Sequence, residues 1–220
     1  MRISKTLAVP WVLALASALG CALLSWTPLA ARFDNALYDW FERIHPATGR
    51  TPAAVIAAID DRTLMETGGD RALRRTLTSL LDRLAAAPPS VLAIDVTLAD
   101  TGIAEEDAAL AAAMARMPNL ILAGEMLPDG SGWQAPIPAF AAHAAAVGHV
   151  HALAGPFDDI NRRIPLEKVS ARKRLWALSL EALRLHLKEP QIVSSPTDVT
   201  VGRYTFLSRW DEGRPFRVHY

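Results

Sequence analysis

The apolar positions along the chain fall into three kinds of pattern. The first is a continuous block: from Thr6 to Ala31 no charged residue occurs. The second is a helical stripe, in which Phe33, Leu37, Trp40, Phe41 and Ile44 recur at intervals of three and four with Asp34, Asp39, Glu42 and Arg43 between them. That spacing predicts an amphipathic helix, ended by His45-Pro46 and Gly49, which either packs on the domain or lies on the membrane surface. The third is a set of short unbroken runs, Ala54–Ile59, Val91–Ile94 and Leu120–Ala123. Runs of that length suit strands buried on both faces. Between the first two lies a leucine stripe, Leu73, Leu77, Leu80, Leu81 and Leu84, which Asp70 would cap and Pro88-Pro89 would stop. Between the second and third, Glu105, Glu106 and Asp107 suit the positive first turn of a helix running to about Met117. A short alanine-rich helix is predicted over Ala139–Ala146.

Three strand–helix units in succession predict an α/β fold with a mostly parallel sheet and crossover helices. The remainder reads differently. Arg163–Val169 is expected as a strand, and Trp176, Leu180, Leu183 and Leu187 as one helical stripe ended by Pro190. Short β-like pieces follow at Gln191–Ser194, Val199–Val201, Tyr204–Leu207 and Phe216–Tyr220.

The uncharged block sets the compartment. Its 26 residues, at ~1.5 Å each, would span about 39 Å as a helix, more than the ~30 Å hydrocarbon core. Arg2 and Lys5 precede it and Trp11 and Trp26 lie near its ends. Such a segment is expected to be one transmembrane signal anchor over residues 1–32, its basic tip in the cytoplasm and residues 33–220 outside. A cleaved signal peptide and a lipoprotein anchored at Cys21 are the rival readings. Pro28-Leu29-Ala30-Ala31 makes a poor cleavage site, and the apolar run continues past Cys21.

Composition adds exclusions. The chain has 220 residues, 51% of them hydrophobic, so it is neither disordered nor collagen-like. A single cysteine excludes an internal disulfide and a cysteine-built zinc site. The 23 basic and 23 acidic side chains cancel, which argues against nucleic acid as a partner. The cancellation is uneven: residues 33–160 hold 8 basic and 17 acidic side chains, and residues 161–220 hold 12 and 6.

Candidate chemistry is sparse. Asp60, Asp61 and Asp95 follow two predicted strands, where α/β sheets bind ligands; they either hold a ligand or a divalent cation, or cap turns and helices. His149 and His151 would share one face of an extended segment, too few for a telling metal site. Arg162 and Arg163 suit a bound carboxylate or phosphate, or an ion-paired turn with Asp158 and Asp159. Neither a glycine-rich phosphate loop nor a serine elbow is present. No cofactor and no metal are assigned.

The order of these segments resembles the type-two CHASE domain, a sensory extracellular family associated with cyclases and histidine kinases. The resemblance rests on Phe33-Asp34-Asn35-Ala36-Leu37-Tyr38-Asp39, Ile59-Asp60-Asp61-Arg62-Thr63-Leu64, Val91–Asp95, Asn119–Ala123, Gly148-His149-Val150 and Asp158–Leu166. Gly68-Gly69-Asp70-Arg71 stands where the family usually has a Trp-Pro-Trp-like segment, and Asp159-Ile160 where it has Asp-Gly. The resemblance implies a non-catalytic, membrane-anchored input domain; the candidate ligand contacts, read from the residues themselves, are Asp60, Asp61, Asp95, His149, Arg162 and Arg163. It further implies a small-molecule or envelope-protein stimulus, and an output module and C-terminal part lying beyond Tyr220; a homodimer would be a natural carrier of the signal, which the sequence itself does not show. The rivals are a metal-dependent hydrolase using Asp60, Asp61 and Asp95, and a non-signalling envelope binding protein.

Overall fold

A computed structural model describes residues 5–45, 54–154, 160–210 and 213–218. The chain divides into two compact units, residues 1–54 with 219–220, and residues 55–218.

The first unit holds two helices, α1 (Lys5–Ser25) and α2 (Pro28–Ile44). The expected single span is therefore broken. A residue before proline is pushed out of the helical region, and Thr27 is extended at φ −93° and ψ 153°. Pro28 then opens α2 at its first helical position, and the Ala30 N–H donates to the Thr27 hydroxyl. No single helix among the described residues is long and apolar enough to cross a membrane; Pro10–Ser25 and Pro28–Ile44 pass that test only as a pair bent by 82°. In α2 the predicted stripe is present, and none of its described residues is buried.

The second unit opens with a second departure. Residues 54–59 form no strand. A strand needs a partner for its backbone, and no described strand pairs with this run; Val55 and Ile56 are 94% and 89% exposed. Next come α3 (Asp61–Thr67), a 3₁₀ turn (Asp70–Ala72) and α4 (Leu73–Leu84). Asp70 lies inside the 3₁₀ turn, and α4 begins without a side-chain cap. Then follow β1 (Leu92–Ile94), α5 (Ala104–Met114), β2 (Leu120–Met126), β3 (Trp133–Gln134), α6 (Pro138–Ala141) and β4 (Ala146–His149). The alanine-rich segment thus splits into one helical turn and a strand.

β1, β2 and β4 pair in parallel in that order, and β3 pairs antiparallel with the end of β2. Two crossovers, through α5 and α6, build this sheet as expected. Its two faces are both covered. Leu120 and Leu122 face a core made by Leu77 and Leu81 of α4, Leu110 and Met114 of α5, and Phe140. The alternate residues Ile121 and Ala123 are equally buried on the opposite side.

The last third is antiparallel, so the sheet content is mixed rather than mostly parallel. It contains β5 (Leu153–Ala154), β6 (Asn161–Pro165), β7 (Glu167–Ser170), β8 (Lys173–Trp176), α7 (Leu178–His186), β9 (Val193–Ser194), β10 (Asp198–Val201), β11 (Tyr204–Leu207) and β12 (Pro215–Arg217). Leu166 divides the expected Arg163–Val169 strand between β6 and β7, and Trp176 ends a strand instead of starting the helix. A second core gathers Leu166, Trp176, Leu180, Ile192, Val199 and Val201. One ion pair is buried beside it. Glu167 accepts from the Arg214 Nε at 2.9 Å, and both side chains are 4% exposed. Arg214 also donates to the Asp198 and Ser208 carbonyls. Gly213 (φ +77°) admits this arginine: a Cβ there would stand 2.6 Å from the Glu167 carbonyl oxygen.

Candidate functional site

The carboxyl ends of β1, β2 and β4 lie side by side, the place where open α/β sheets bind ligands. Asp95 follows β1 directly and is exposed. His149 ends β4 opposite Gly124 of β2 and is 1% exposed. It also forms a parallel bridge to Ala177, just before α7. Gly148 makes this approach possible, since a Cβ there would stand 2.5 Å from the Leu178 Cα.

Around His149 the structure assembles an aromatic and basic cluster. Trp133 stacks on its ring with centroids 6.5 Å apart and planes 22° apart. The His151 ring lies 5.9 Å away. The indole Nε1 donates to the Lys173 carbonyl and the Ser170 hydroxyl donates to the Gly130 carbonyl, which tie the β2–β3 hairpin to the β7–β8 hairpin.

Hydrogen bonds assign both imidazole tautomers. The His151 N–H donates to His149 Nδ1 at 3.3 Å, so His149 carries its proton on Nε2. The Met126 N–H donates to His151 Nε2 at 2.8 Å, which puts the His151 proton on Nδ1. His149 Nε2 is buried and finds no hydrogen-bond partner among the described residues. Burial, then the neighbouring His151 and Lys168, lower the His149 pKa to about 3. His151 is lowered too, by burial and by Lys168, with Glu125 opposing. Both rings are held in their neutral, donating form.

The other sequence candidates do not join this cluster. Asp60 caps α3, accepting from the Thr63 N–H at 2.8 Å and the Thr63 hydroxyl at 2.7 Å, and these bonds lower its pKa. Asp61 is exposed in the first turn of α3. Among the described residues no group of three or more His, Cys, Asp or Glu is placed to hold a metal ion, so Asp60, Asp61 and Asp95 form no such centre. Arg162 and Arg163 are neighbours on β6, and a strand sends neighbours to opposite faces: Arg162 is buried and Arg163 exposed. They do not make one fork for one anion. Asp158 and Asp159 lie outside the described residues.

Sequence reading found His149 and His151 but missed Trp133, Glu125 and Lys168. The Gly130-Ser131-Gly132 turn after the β2 run marked a hairpin that returns Trp133 to the end of that strand.

A family model for the CHASE2 domain matches residues 12–220. The chain belongs to the CHASE2 family. CHASE2 domains are extracellular sensory domains of signal-transduction proteins, a non-catalytic class. No curated protein and no solved structure matches the chain. Within this CHASE2 domain the Gly148-His149-Val150 step carries the buried histidine, and the Ile59-Asp60-Asp61 step carries a helix cap.

Proposed function

We propose that this CHASE2 domain is the membrane-anchored, extracytoplasmic input domain of a bacterial signal-transduction protein, and that its stimulus is read at the carboxyl edge of the parallel sheet around His149. The observation that carries the site is the buried Nε2–H of His149 without an acceptor. A buried donor left unpaired costs on the order of 1–3 kcal/mol, so an acceptor supplied from outside is favoured there. His151 Nδ1–H is likewise a donor, and the nearby charge of Lys168 acts against that of Glu125, which favours a small ligand rich in acceptor oxygen, such as a carboxylate. Such a ligand acts by favouring one of two arrangements of the domain, and a dimer would carry that bias to the output. The uncharged Thr6–Ala31 run supports the anchor, with the basic tip inside.

The test is a nitrogen-detected NMR titration of the imidazoles in the full chain, held in a phosphatidylcholine nanodisc, with acetate, succinate and citrate as probes. Binding of one probe at the site moves the His149 Nε2 resonance and leaves exposed His45 unmoved. If none of the three moves His149, the acceptor-ligand site is wrong. A fusion of the chain to a cyclase reporter then tests sensing: the same probe changes cyclic nucleotide output, and His149→Leu abolishes the change. An output that ignores a bound probe overturns the sensory reading while leaving the site intact.

A further inference from the structure

Helix α2 presents a face that its own unit leaves open. At 100° per residue, Leu29, Phe33, Leu37, Trp40, Phe41 and Ile44 fall within a sector about 120° wide. All six are exposed, from 40% at Leu37 to 69% at Leu29. Asp34, Asn35, Glu42 and Arg43 lie outside that sector.

Two further observations say what covers it. Helix α1, directly before it, is apolar around its circumference, with Trp11, Val12, Leu13, Leu15, Leu19 and Leu23 all more than 60% exposed. A helix apolar on all sides suits lipid. Its 21 residues at ~1.5 Å each give about 31 Å, near the ~30 Å hydrocarbon thickness, while its described stretch Pro10–Ser25 passes the test for a span only together with α2. The second observation is the 82° bend between the two helices. If α1 stands along the membrane normal, α2 lies almost in the membrane plane. Trp26, 92% exposed at the bend, then sits at interfacial depth, where tryptophan concentrates.

We infer that α2 is an in-plane interfacial helix whose Leu29–Ile44 stripe is embedded at the boundary of headgroups and acyl chains. This rests on the anchoring proposed above. The occupant is lipid, bound by apolar burial and not by charge: α2 carries two basic and three acidic side chains, so anionic headgroups gain it nothing.

The full chain carrying Cys21→Ser, reconstituted in phosphatidylcholine vesicles, tests this. An environment-sensitive fluorophore is placed at Leu37→Cys, Asn35→Cys or Leu15→Cys, one per sample. Quenching is read with lipids spin-labelled near the headgroup or near the acyl-chain end. At position 37 the emission is blue-shifted and lost with the shallow label only. At position 35 it stays that of water and is kept with both. At position 15 it is lost with the deep label. Deep quenching at position 37 means that α2 continues into the bilayer, and a dry but unquenched position 37 means that protein covers the stripe. Either result overturns the in-plane helix. Quenching that appears only when phosphatidylglycerol is added overturns its apolar basis. A position 15 that no lipid label quenches removes the anchor itself, a failure distinct from that of α2.

Discussion

The two cores of the second unit are built on different principles. The first, between the parallel sheet and helices α4 and α5, gathers apolar side chains from Leu77 to Phe140, with the Arg74–Asp107 pair joining α4 to α5. The second, under β10 and α7, lies beside the buried Glu167–Arg214 pair. An apolar core resists loss of volume but has no preferred partner beyond shape. A buried ion pair adds little net stability, because desolvation offsets attraction, yet it penalises any arrangement that separates the charges. The antiparallel half thus holds the more deeply buried of the two pairs, and its register is the one that separating the charges penalises more. His149 stands at the seam, on the last strand of the one and bridged to Ala177 of the other.

The largest expected effect comes at that seam. The folded state holds the His149 pKa at about 3, below the ordinary 6.5. The unfolded chain thus binds a proton that the folded chain refuses, and stability falls as pH drops from 6.5 towards 3. At 1.36 kcal/mol per pKa unit the loss approaches about 5 kcal/mol at the acid end. Chemical denaturation across this range should show the fall in the wild type and a flatter curve in His149→Gln; parallel curves would mean that the ring is not excluded from protonation.

Arg214→Ala comes next. It leaves Glu167 buried with only the 3.5 Å contact to half-exposed Arg174, at a cost of about 3–5 kcal/mol in urea unfolding. Replacing both partners, Glu167→Leu with Arg214→Met, should recover most of that loss. A double variant as unstable as the single one would show that the pair is a true stabiliser, and the contrast between the cores would collapse. In the apolar core, Leu110→Ala should cost about 2–5 kcal/mol, with no volume-matched charged replacement able to restore it. Asp60→Ala is the smallest change: it removes the α3 cap on an exposed turn, so melting should shift less than for any variant above and the His149 resonances should stay in place.

The parallel platform was legible because its strands are short apolar runs and its helices carry regular leucine stripes. Val91–Ile94 and Leu120–Ala123 became β1 and β2, and Leu77 and Leu81 of the stripe are buried. Residues 54–59 have the same composition but no strand partner among the described residues, and apolar content alone does not supply one. Spacing misled at Trp176, where a four-residue step to Leu180 of the following helix hid the end of β8. The break at Thr27 did have a signal, a threonine followed by proline, which reads as a cap and a first helical position. Of the candidate residues, the two histidines could be paired from their spacing. The indole that stacks on one of them could not, since it arrives through a hairpin whose return angle no local pattern states.

Gly148 has a mechanical consequence. Where it meets Leu178 there is no side chain between strand and helix, so main chain rests on main chain. Side chains are the compliant layer of a protein interior, able to absorb a small displacement by changing rotamer. Here that cushion is missing, and β4 and the first turn of α7 have to move as one stiff piece. A displacement of β4 at Gly148 therefore bears directly on the backbone of Leu178.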